Sequence, residues 1–330
     1  ENIHTYVSQT TASRRKNQEG TLQDIMKSWK LTYKAKGWQR FAKIDTKGTL
    51  NCPYVLYKAK NVIDHKIRAM KLHKARPIAP ATKHQMSRLL RKAGRAWYFM
   101  ANNVPGPHFK IPLCNEIPRF LKESDARMKE LGAIYRIDTY DIEGCFPNMP
   151  KEAIRAAAME YVAHYLRNGR MGVWIPRARQ KKPAWEQPLK EKRGTWMPLE
   201  ELRDILVFAL DNAYIKMPDG TIRHQTHGIP MGDPLSPGMT IMTCAWMERE
   251  WANGLRPIDR LFFRGARYMD DIMLFHSKSP RWDSEKFLQD FTRSECYWEP
   301  LRLEEAESGQ FLETFFQKTR NEITYRLKNA

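Results

Sequence analysis

The stretch RYMDDIMLF, residues 267 to 275, places two adjacent carboxylates, Asp270 and Asp271, inside a run that is otherwise apolar and typical of a strand. Two neighbouring like charges repel each other, and a charge in apolar surroundings is costly unless something compensates it. The pair therefore needs either an exposed turn or a bound cation. One interpretation is a polar hairpin turn, and the other is a metal site.

The charge balance of the chain indicates a polyanionic partner. Its 330 residues contain 56 Lys and Arg against 37 Asp and Glu, which gives a formal net charge of +19. Nucleic acid and an anionic membrane both fit such an excess. The longest apolar run, ILVFAL at residues 205 to 210, is far shorter than the ~20 residues that a spanning helix needs. Together with the absence of a signal-peptide pattern at the start, this predicts no membrane insertion.

The number and spacing of the cysteines indicate the redox environment of the protein. The chain has five, an odd number, and they are widely scattered without a CxxC pair that would suggest zinc or a redox couple. This pattern predicts a reducing, intracellular environment.

The order of the predicted elements is typical of an α+β protein, because helices and strands do not alternate strictly. Apolar periodicity predicts the helices, and Gly, Pro and Asp clusters predict the turns. The elements expected are, in order, a helix over 86 to 100, a strand ending near Asp141, a helix after Pro150, a basic loop or insertion over 167 to 198, a helix from Leu199, a hairpin over 216 to 223, a Gly/Pro loop over 228 to 237, a helix from Ser236 to about Gly254, and the strand hairpin at Asp270.

Asp141 extends the carboxylate pair into a possible cluster. If its strand lies beside the hairpin that carries Asp270 and Asp271, three carboxylates meet at one place. Hard oxygen ligands of this kind bind divalent cations, and Mg²⁺ fits best. Two such ions about 4 Å apart can activate an attacking oxygen and stabilise a leaving one in phosphoryl transfer.

At this point the sequence resembles a known family, the reverse transcriptases. YMDD matches their Tyr-x-Asp-Asp motif, and Asp141 with an aromatic residue five positions on, Phe146, matches their first catalytic motif. Finer details resemble the Penelope-like branch, which is related to telomerase reverse transcriptase. The segments similar to that branch are DIEGCFPNMP (141 to 150), HQTHGIPMGDPLSP (224 to 237) and GQFLETFF (309 to 316).

The resemblance covers about residues 70 to 317 and implies a right-hand polymerase fold. Its fingers and palm would hold an antiparallel palm sheet packed on helices, and its thumb would be absent, truncated or supplied by a protein partner. The expected domains are a basic N-terminal extension that begins the fingers over 1 to 70, fingers over 71 to 130, a palm over 131 to 317 that includes the basic insertion, and the start of a thumb or a C-terminal tail over 318 to 330.

The same resemblance implies roles for the acidic residues. Asp141, Asp270 and Asp271 would be the catalytic carboxylates that bind two Mg²⁺ ions, with Mn²⁺ as an alternative, and the backbone carbonyl of Ile142 would be a further ligand. Phe146 would lie against the sugar of the incoming nucleotide and leave no room for a 2′-hydroxyl. RNA-dependent RNA polymerases usually carry a polar Asp near this position.

Other residues would contact the nucleotide and the nucleic acid. Arg76, in KARPIAP (74 to 80), resembles the Arg that grips the triphosphate through bidentate hydrogen bonds. Lys71 and Lys74 are candidate second contacts, although a solvated basic face explains them equally well. The remaining candidates are Met231 and Gly232 for the dNTP, and Gly228, Pro230, Tyr268 and Met269 for template and primer. Asp233 stands where the Penelope-like pattern has Ser.

The predicted function is an RNA-directed DNA polymerase. A primer 3′-OH would attack the α-phosphate of a dNTP on an RNA template, with DNA or RNA as primer. Two alternatives stay open: an inactive RNA-binding scaffold that keeps the fold, and an RNA-dependent RNA polymerase. The location would be nuclear for a eukaryotic retroelement.

In the insertion, Trp174, Trp185 and Trp196 either stack on bases or cover a lobe surface.

Overall fold

The structure is a computed structural model of the chain. It describes residues 13–15, 22–50, 52–57, 75–111, 113–189, 193–278, 282–306, 310–312, 314–318 and 323–327, so the candidates Lys71 and Lys74 lie outside the described residues. The chain divides into two compact units. Unit 1 comprises Glu1–Met100 and Phe146–Met239, and unit 2 comprises Ala101–Cys145 and Thr240–Ala330. Across the described ranges, every helix is too short or too polar to cross a membrane.

The described helices follow the apolar periodicity of the sequence. The predicted helices at residues 86, 150, 199 and 236 are all confirmed within one or two residues. The α-helices are α1 (Leu22–Ala35), α2 (Ser87–Asn102), α3 (Ile117–Glu130), α4 (Cys145–Asn148), α5 (Lys151–Arg167), α6 (Leu199–Asp211), α7 (Ser236–Gly254), α8 (Pro257–Phe262) and α9 (Ser284–Asp290). Short 3₁₀ turns occupy Trp38–Arg40 and Cys114–Glu116, and a π-helical turn occupies Phe291–Glu295.

The described strands form five small sheets, all of them antiparallel. They are β1 (Ser13–Arg15), β2 (Tyr54–Tyr57), β3 (Ala75–Ile78), β4 (Tyr135–Ile142), β5 (Gly172–Pro176), β6 (Gly194–Pro198), β7 (Tyr214–Lys216), β8 (Ile222–Gln225), β9 (Phe263–Tyr268), β10 (Asp271–Ser277), β11 (Leu303–Glu305), β12 (Gln310–Phe311), β13 (Thr314–Lys318) and β14 (Ile323–Leu327).

The central sheet of unit 2 has the strand order β11-β4-β10-β9. In β10 the four consecutive side chains Ile272, Met273, Leu274 and Phe275 are all fully buried. A strand covered on both faces is apolar throughout instead of alternating, which explains the continuous run IMLF. Met273 and Phe275 pack in one cluster with apolar residues of α3, so a helix covers that face. The layout is α+β, as predicted, with helices packed on an antiparallel sheet.

Unit 1 contains the insertion over 167 to 198, where the sequence predicted no regular structure. The structure instead shows the strand pair β5 and β6, with Trp174 opposite Trp196. Seventeen residues rich in Arg, Lys and Pro separate the two strands, from residue 177 to 193, so no short turn signal marks the hairpin. The hairpin of β7 and β8 is confirmed, with Gly220 at φ 84° in its turn. The boundaries of fingers, palm and thumb stay predictions.

Candidate active site

Acidic residues form a row across the central sheet of unit 2. Asp271 of β10 is the register partner of Asp141 in β4, and Asp141 is in turn the partner of Glu304 in β11. Directly opposed residues in antiparallel strands project from the same face of the sheet. The predicted neighbourhood of the two strands is therefore confirmed, and Asp270 precedes the row by one residue. Glu304 was missed, because no local pattern shows which residue of a distant strand will lie opposite Asp141.

The turn that carries Asp270 is a two-residue hairpin loop. Tyr268 and Asp271 are the paired residues that flank Met269 and Asp270. Met269 has φ 58°, a left-handed conformation that costs a non-glycine residue about 1 kcal/mol or more. The Ile142 amide donates to the Asp270 carbonyl at 3.0 Å, which ties the turn to the end of β4. The strained backbone is thus held in place by the neighbouring strand.

A buried ion pair is hydrogen-bonded to the backbone of this turn. The Arg267 guanidinium donates to the Glu248 carboxylate and, at 2.8 Å, to the Met269 carbonyl. Glu248 also accepts from the Phe109 amide and from the Tyr297 hydroxyl, both at 2.8 Å. Both charged side chains are fully buried. Burial by itself lowers the pKa of Arg267, but Glu248 raises this pKa well above its ordinary value, so the guanidinium stays charged.

Sequence reasoning missed the Arg267–Glu248 pair. Its members are nineteen positions apart in the sequence, with helix α8 between the elements that carry them, and nothing local distinguishes Arg267 from any other Arg near the end of a strand. The signal that could have found it is Glu248 itself, which stands in the apolar run IMTCAWME where a helix should be buried.

The donor chemistry of the acidic row fits a divalent ion. Carboxylate and carbonyl oxygens are the hard ligands that Mg²⁺ prefers. Over the ranges that the structure describes, no three His, Cys, Asp or Glu side chains are grouped so that they could hold a metal ion by themselves. Mg²⁺ usually takes only one or two carboxylates and completes its shell with water and substrate phosphates. The row therefore fits an ion that is bound together with a nucleotide, and it is not a closed protein cage.

The Gly/Pro loop in unit 1 packs against Phe146 and Pro147 of the short helix α4. Ile229 donates its amide to the Phe146 carbonyl at 2.9 Å. Gly228 has φ 65°, and a Cβ there would lie 2.2 Å from the Pro147 carbonyl oxygen. Only glycine allows this approach. The Pro230 carbonyl accepts from the Ser236 hydroxyl at 2.6 Å, which joins the loop to the start of α7.

The other end of the same loop packs against the segment after β3. The Ala79 amide donates to the Met231 carbonyl at 2.7 Å. Gly232 has φ 108°, and a Cβ there would lie 3.1 Å from Ile78 Cγ2. Arg76, on the adjoining strand, is exposed. The structure thus places the candidates Arg76, Met231, Gly232, Gly228, Pro230 and Phe146 in a single connected part of unit 1, while Tyr268 and Met269 lie beside the acidic row of unit 2.

Asp233 has a structural place at the start of α7. Its carboxylate accepts from the Leu235 amide at 2.7 Å, and its carbonyl accepts from the Ser236 amide. Burial raises the pKa of Asp233 to about 6, an effect that the Leu235 hydrogen bond partly offsets. The residue therefore serves as a turn former for the helix, a role that Ser can also fill.

The three tryptophans of the insertion differ in exposure, so the two predicted roles, base stacking and cover of a lobe surface, fall on different residues. Trp174 is buried, and the Trp185 ring lies 4.5 Å from the Tyr165 ring and 5.0 Å from the Phe99 ring, so both cover the lobe. Only Trp196, at 37% exposure, presents a face to solvent.

The similarity of this chain to known proteins lies in its fold. No protein-family model matches the chain, and no curated protein matches it. Among solved structures, telomerase from Candida albicans in complex with a fragment of telomeric RNA aligns at TM-score 0.55 and 11% identity, over 97% of this chain and 55% of that one. Telomerase from Candida tropicalis in a similar complex aligns at 0.56 and 11%, over 91% and 48%. The Sicinivirus 3Dpol RNA-dependent RNA polymerase aligns at only 0.46 and 12%, over 90% and 56%.

The chain spans about half the length of the telomerase chains that it matches. The likeness shows that it has the right-hand polymerase fold predicted from its motifs.

Proposed function

We propose that this chain is an RNA-directed DNA polymerase that extends a primer 3′-OH with dNTPs on a nucleic-acid template. The observation that carries the proposal is the register of the central sheet, in which Asp271 lies opposite Asp141 with Asp270 in the adjoining turn. Like charges repel when they are placed in one row, and a fold keeps such a row when a cation is bound there in function.

In this proposal the protein positions charge and does little covalent chemistry. Asp141, Asp270 and Asp271 would hold Mg²⁺, or Mn²⁺ in its place, with the Ile142 carbonyl as a further ligand. The bound ions would supply Lewis acidity at the attacking and leaving oxygens. Arg76 would bind the triphosphate, since a guanidinium offers a fork of donors to phosphate oxygens. Tyr268 and Met269 would contact the primer end beside the acidic row.

Phe146 would select the sugar. It follows Asp141 by five residues, and its backbone is fixed by the Ile229 hydrogen bond and by the close approach of Gly228. An aromatic ring at a fixed backbone position excludes a 2′-hydroxyl by steric contact. The RNA template is supported by the neighbours, because both Candida telomerases were solved with telomeric RNA. The proposal also includes similarity of this chain to the Penelope-like branch and its location in a reducing, intracellular compartment.

A primer-extension assay tests the function. The parent chain should extend a DNA primer on an RNA template when Mg²⁺ and dNTPs are present. Asp270→Asn should lose this activity, whereas Glu130→Gln, which removes one exposed carboxylate from the same unit, should retain it. An absence of metal-dependent product from a folded parent would contradict the polymerase and favour the scaffold.

Sugar selection separates the DNA polymerase from an RNA polymerase. The parent should use dNTPs at least about tenfold better than rNTPs, a ratio within reach of one steric contact. Phe146→Ala should narrow this ratio by raising rNTP use. Equal use of both sugars by the parent would show that Phe146 does not exclude the 2′-hydroxyl.

A further inference from the structure

Unit 1 contains a groove whose lining is mostly cationic. Its volume is about 700 Å³, and eight of its thirteen described lining residues are Lys or Arg, while none is Asp, Glu or aromatic. One wall belongs to α2 and the other to the β5–β6 hairpin of the insertion. We refer to it as the basic groove. It includes no member of the acidic row or of the Gly/Pro loop.

The α2 wall is a regular stripe. Arg88, Arg91, Lys92 and Arg95 recur at spacings of three and four residues, which places them on one face of the helix. The opposite stripe of α2 contains Leu89, Ala93 and Trp97, which are fully buried. The apolar stripe fixes the helix in the core, so the cationic stripe is held facing outward.

Two half-buried cations connect the walls. Arg95 donates to the carbonyl oxygens of Pro176 and Lys181, both at 2.7 Å, and of Ala178 at 3.2 Å. Lys92 donates to the Thr195 hydroxyl at 2.7 Å and to the Phe41 carbonyl at 2.6 Å. These partners are neutral oxygens, so the contacts fix the geometry without cancelling the charge.

Further cations of the groove lie next to the ends of the hairpin strands, and one of them repels Arg95. Arg177, Arg179 and Arg193 extend from the ends of β5 and β6, with the Arg177 amide bonded to the Arg193 carbonyl at 3.1 Å. Burial lowers the pKa of Arg95, and repulsion by Arg179 lowers it further. Repulsion of this kind is relieved by an anion with several charges. A groove with cations on both walls suits a backbone that carries a charge at every step.

We infer that the basic groove binds the sugar–phosphate backbone of a nucleic-acid strand and does so without reading the bases. Base readout by stacking needs exposed aromatic rings, and this lining has none. A membrane surface fits less well, because docking to lipid uses exposed apolar side chains, whereas the apolar lining residues Ala42, Ile175 and Pro176 are buried. The inference concerns unit 1 and does not require the polymerase reaction.

The test compares two triple variants of the full chain. Arg88→Gln, Arg91→Gln and Arg179→Gln remove three exposed groove cations. The matched control, Lys27→Gln, Lys30→Gln and Lys34→Gln, removes three exposed cations of α1 in the same unit. Binding to two fluorescent homopolymeric RNAs of different sequence, and to DNAs of equal length, is measured by anisotropy over a series of salt concentrations, and folding is checked by circular dichroism.

The groove variant should bind both strands about 30-fold more weakly at moderate salt, since each phosphate contact contributes roughly threefold. Its log–log salt slope should fall by about 2, at about 0.7 for each single-strand contact. The control should change little, and replacing the same three arginines by Lys should retain binding because the charge remains. The assay contains neither Mg²⁺ nor dNTP, so its result does not depend on the polymerase reaction, and failure of this inference is distinguishable from failure of the polymerase proposal.

Equal loss of affinity in the groove variant and the control would overturn the inference. Loss confined to one homopolymer sequence would overturn its claim that bases are not read. If the parent binds anionic phosphatidylserine vesicles through these three arginines but binds neither strand, the occupant is a membrane and the inference is wrong.

Discussion

Two regions of this protein hold like charges together, and they do so by opposite means. The acidic row of unit 2 is built on strands, where backbone hydrogen bonds set the position of each carboxylate to within one residue. The basic groove of unit 1 is built from long side chains on a helix and a hairpin, and six of its eight cations are exposed. One arrangement fits a small ion, and the other fits an extended polyanion.

The contrast between the two regions predicts how each should respond to substitution. A site with two or three ligands in fixed register fails when one ligand is lost, because the remaining ones cannot move to replace it. A groove in which many exposed cations contribute independently weakens in steps, because distant and independent contacts add.

Asp271→Asn should reduce primer extension by about a thousandfold, since several kcal/mol of charge stabilisation is lost and each 1.36 kcal/mol is a factor of ten. The same change should leave the melting temperature without metal equal to that of the parent or slightly higher, because it removes repulsion with Asp141. Activity and thermal melts are measured on the same preparation. A large fall in melting temperature would mean that the row is a structural element instead.

Arg267→Met should destabilise the fold by about 3 to 5 kcal/mol, because it leaves the Glu248 carboxylate buried without its cation. Urea unfolding measures this loss. Arg267→Lys keeps the charge but lacks the planar fork that reaches both Glu248 and the Met269 carbonyl. It should therefore lower primer extension, chiefly in kcat, more than it lowers stability. Full activity in a folded Arg267→Lys chain would show that the guanidinium does not position the turn.

Pairs of groove substitutions should be additive. Arg88→Gln and Arg179→Gln, which lie on opposite walls, should each weaken nucleic-acid binding roughly threefold. The double variant should match the product of the two effects within ~0.5 kcal/mol. In contrast, combining Asp141→Asn with Asp271→Asn should cost little more activity than either change alone. A double variant whose effect differs strongly from that product would show that the groove cations do not act independently, in contradiction to the predicted difference between the two regions.

The smallest effect concerns Asp233. Its folded-state pKa of about 6 lies above the ordinary value of 3.8, so the folded chain binds the proton more tightly than the unfolded chain. The stabilisation of the folded state by this protonated carboxyl is complete below about pH 4 and is lost as the pH rises through about 6. Asp233→Ser keeps the turn but removes the titration. It should raise the melting temperature at pH 7.5 by about 2 °C and not at pH 4. An equal change at both pH values would contradict the assignment.

Much of the fold could be read from the sequence, because its signals are local. The helical stripe of α2 and the Pro-Asp-Gly turn are such signals, and each was confirmed. The cationic stripe of α2 lies within the local segment 88 to 95, whereas its partner wall could not be predicted because the insertion has no period. For the three Trp residues there the sequence left both base stacking and cover of a lobe surface open. Burial of Trp174 and packing of Trp185 leave only Trp196 of the three exposed.

Local sequence signals were enough to predict the strand hairpin of RYMDDIMLF, the class of the fold and the residue types of the acidic cluster. Local propensity, turn chemistry and the run of apolar residues suffice for these. Only the tertiary structure decided that Asp271 faces Asp141, that Glu304 extends the row, and that Arg267 reaches the Met269 carbonyl from a buried pair with Glu248. The physical reason is that strand register and buried charge pairing join residues far apart in the chain, where no local pattern records the distance.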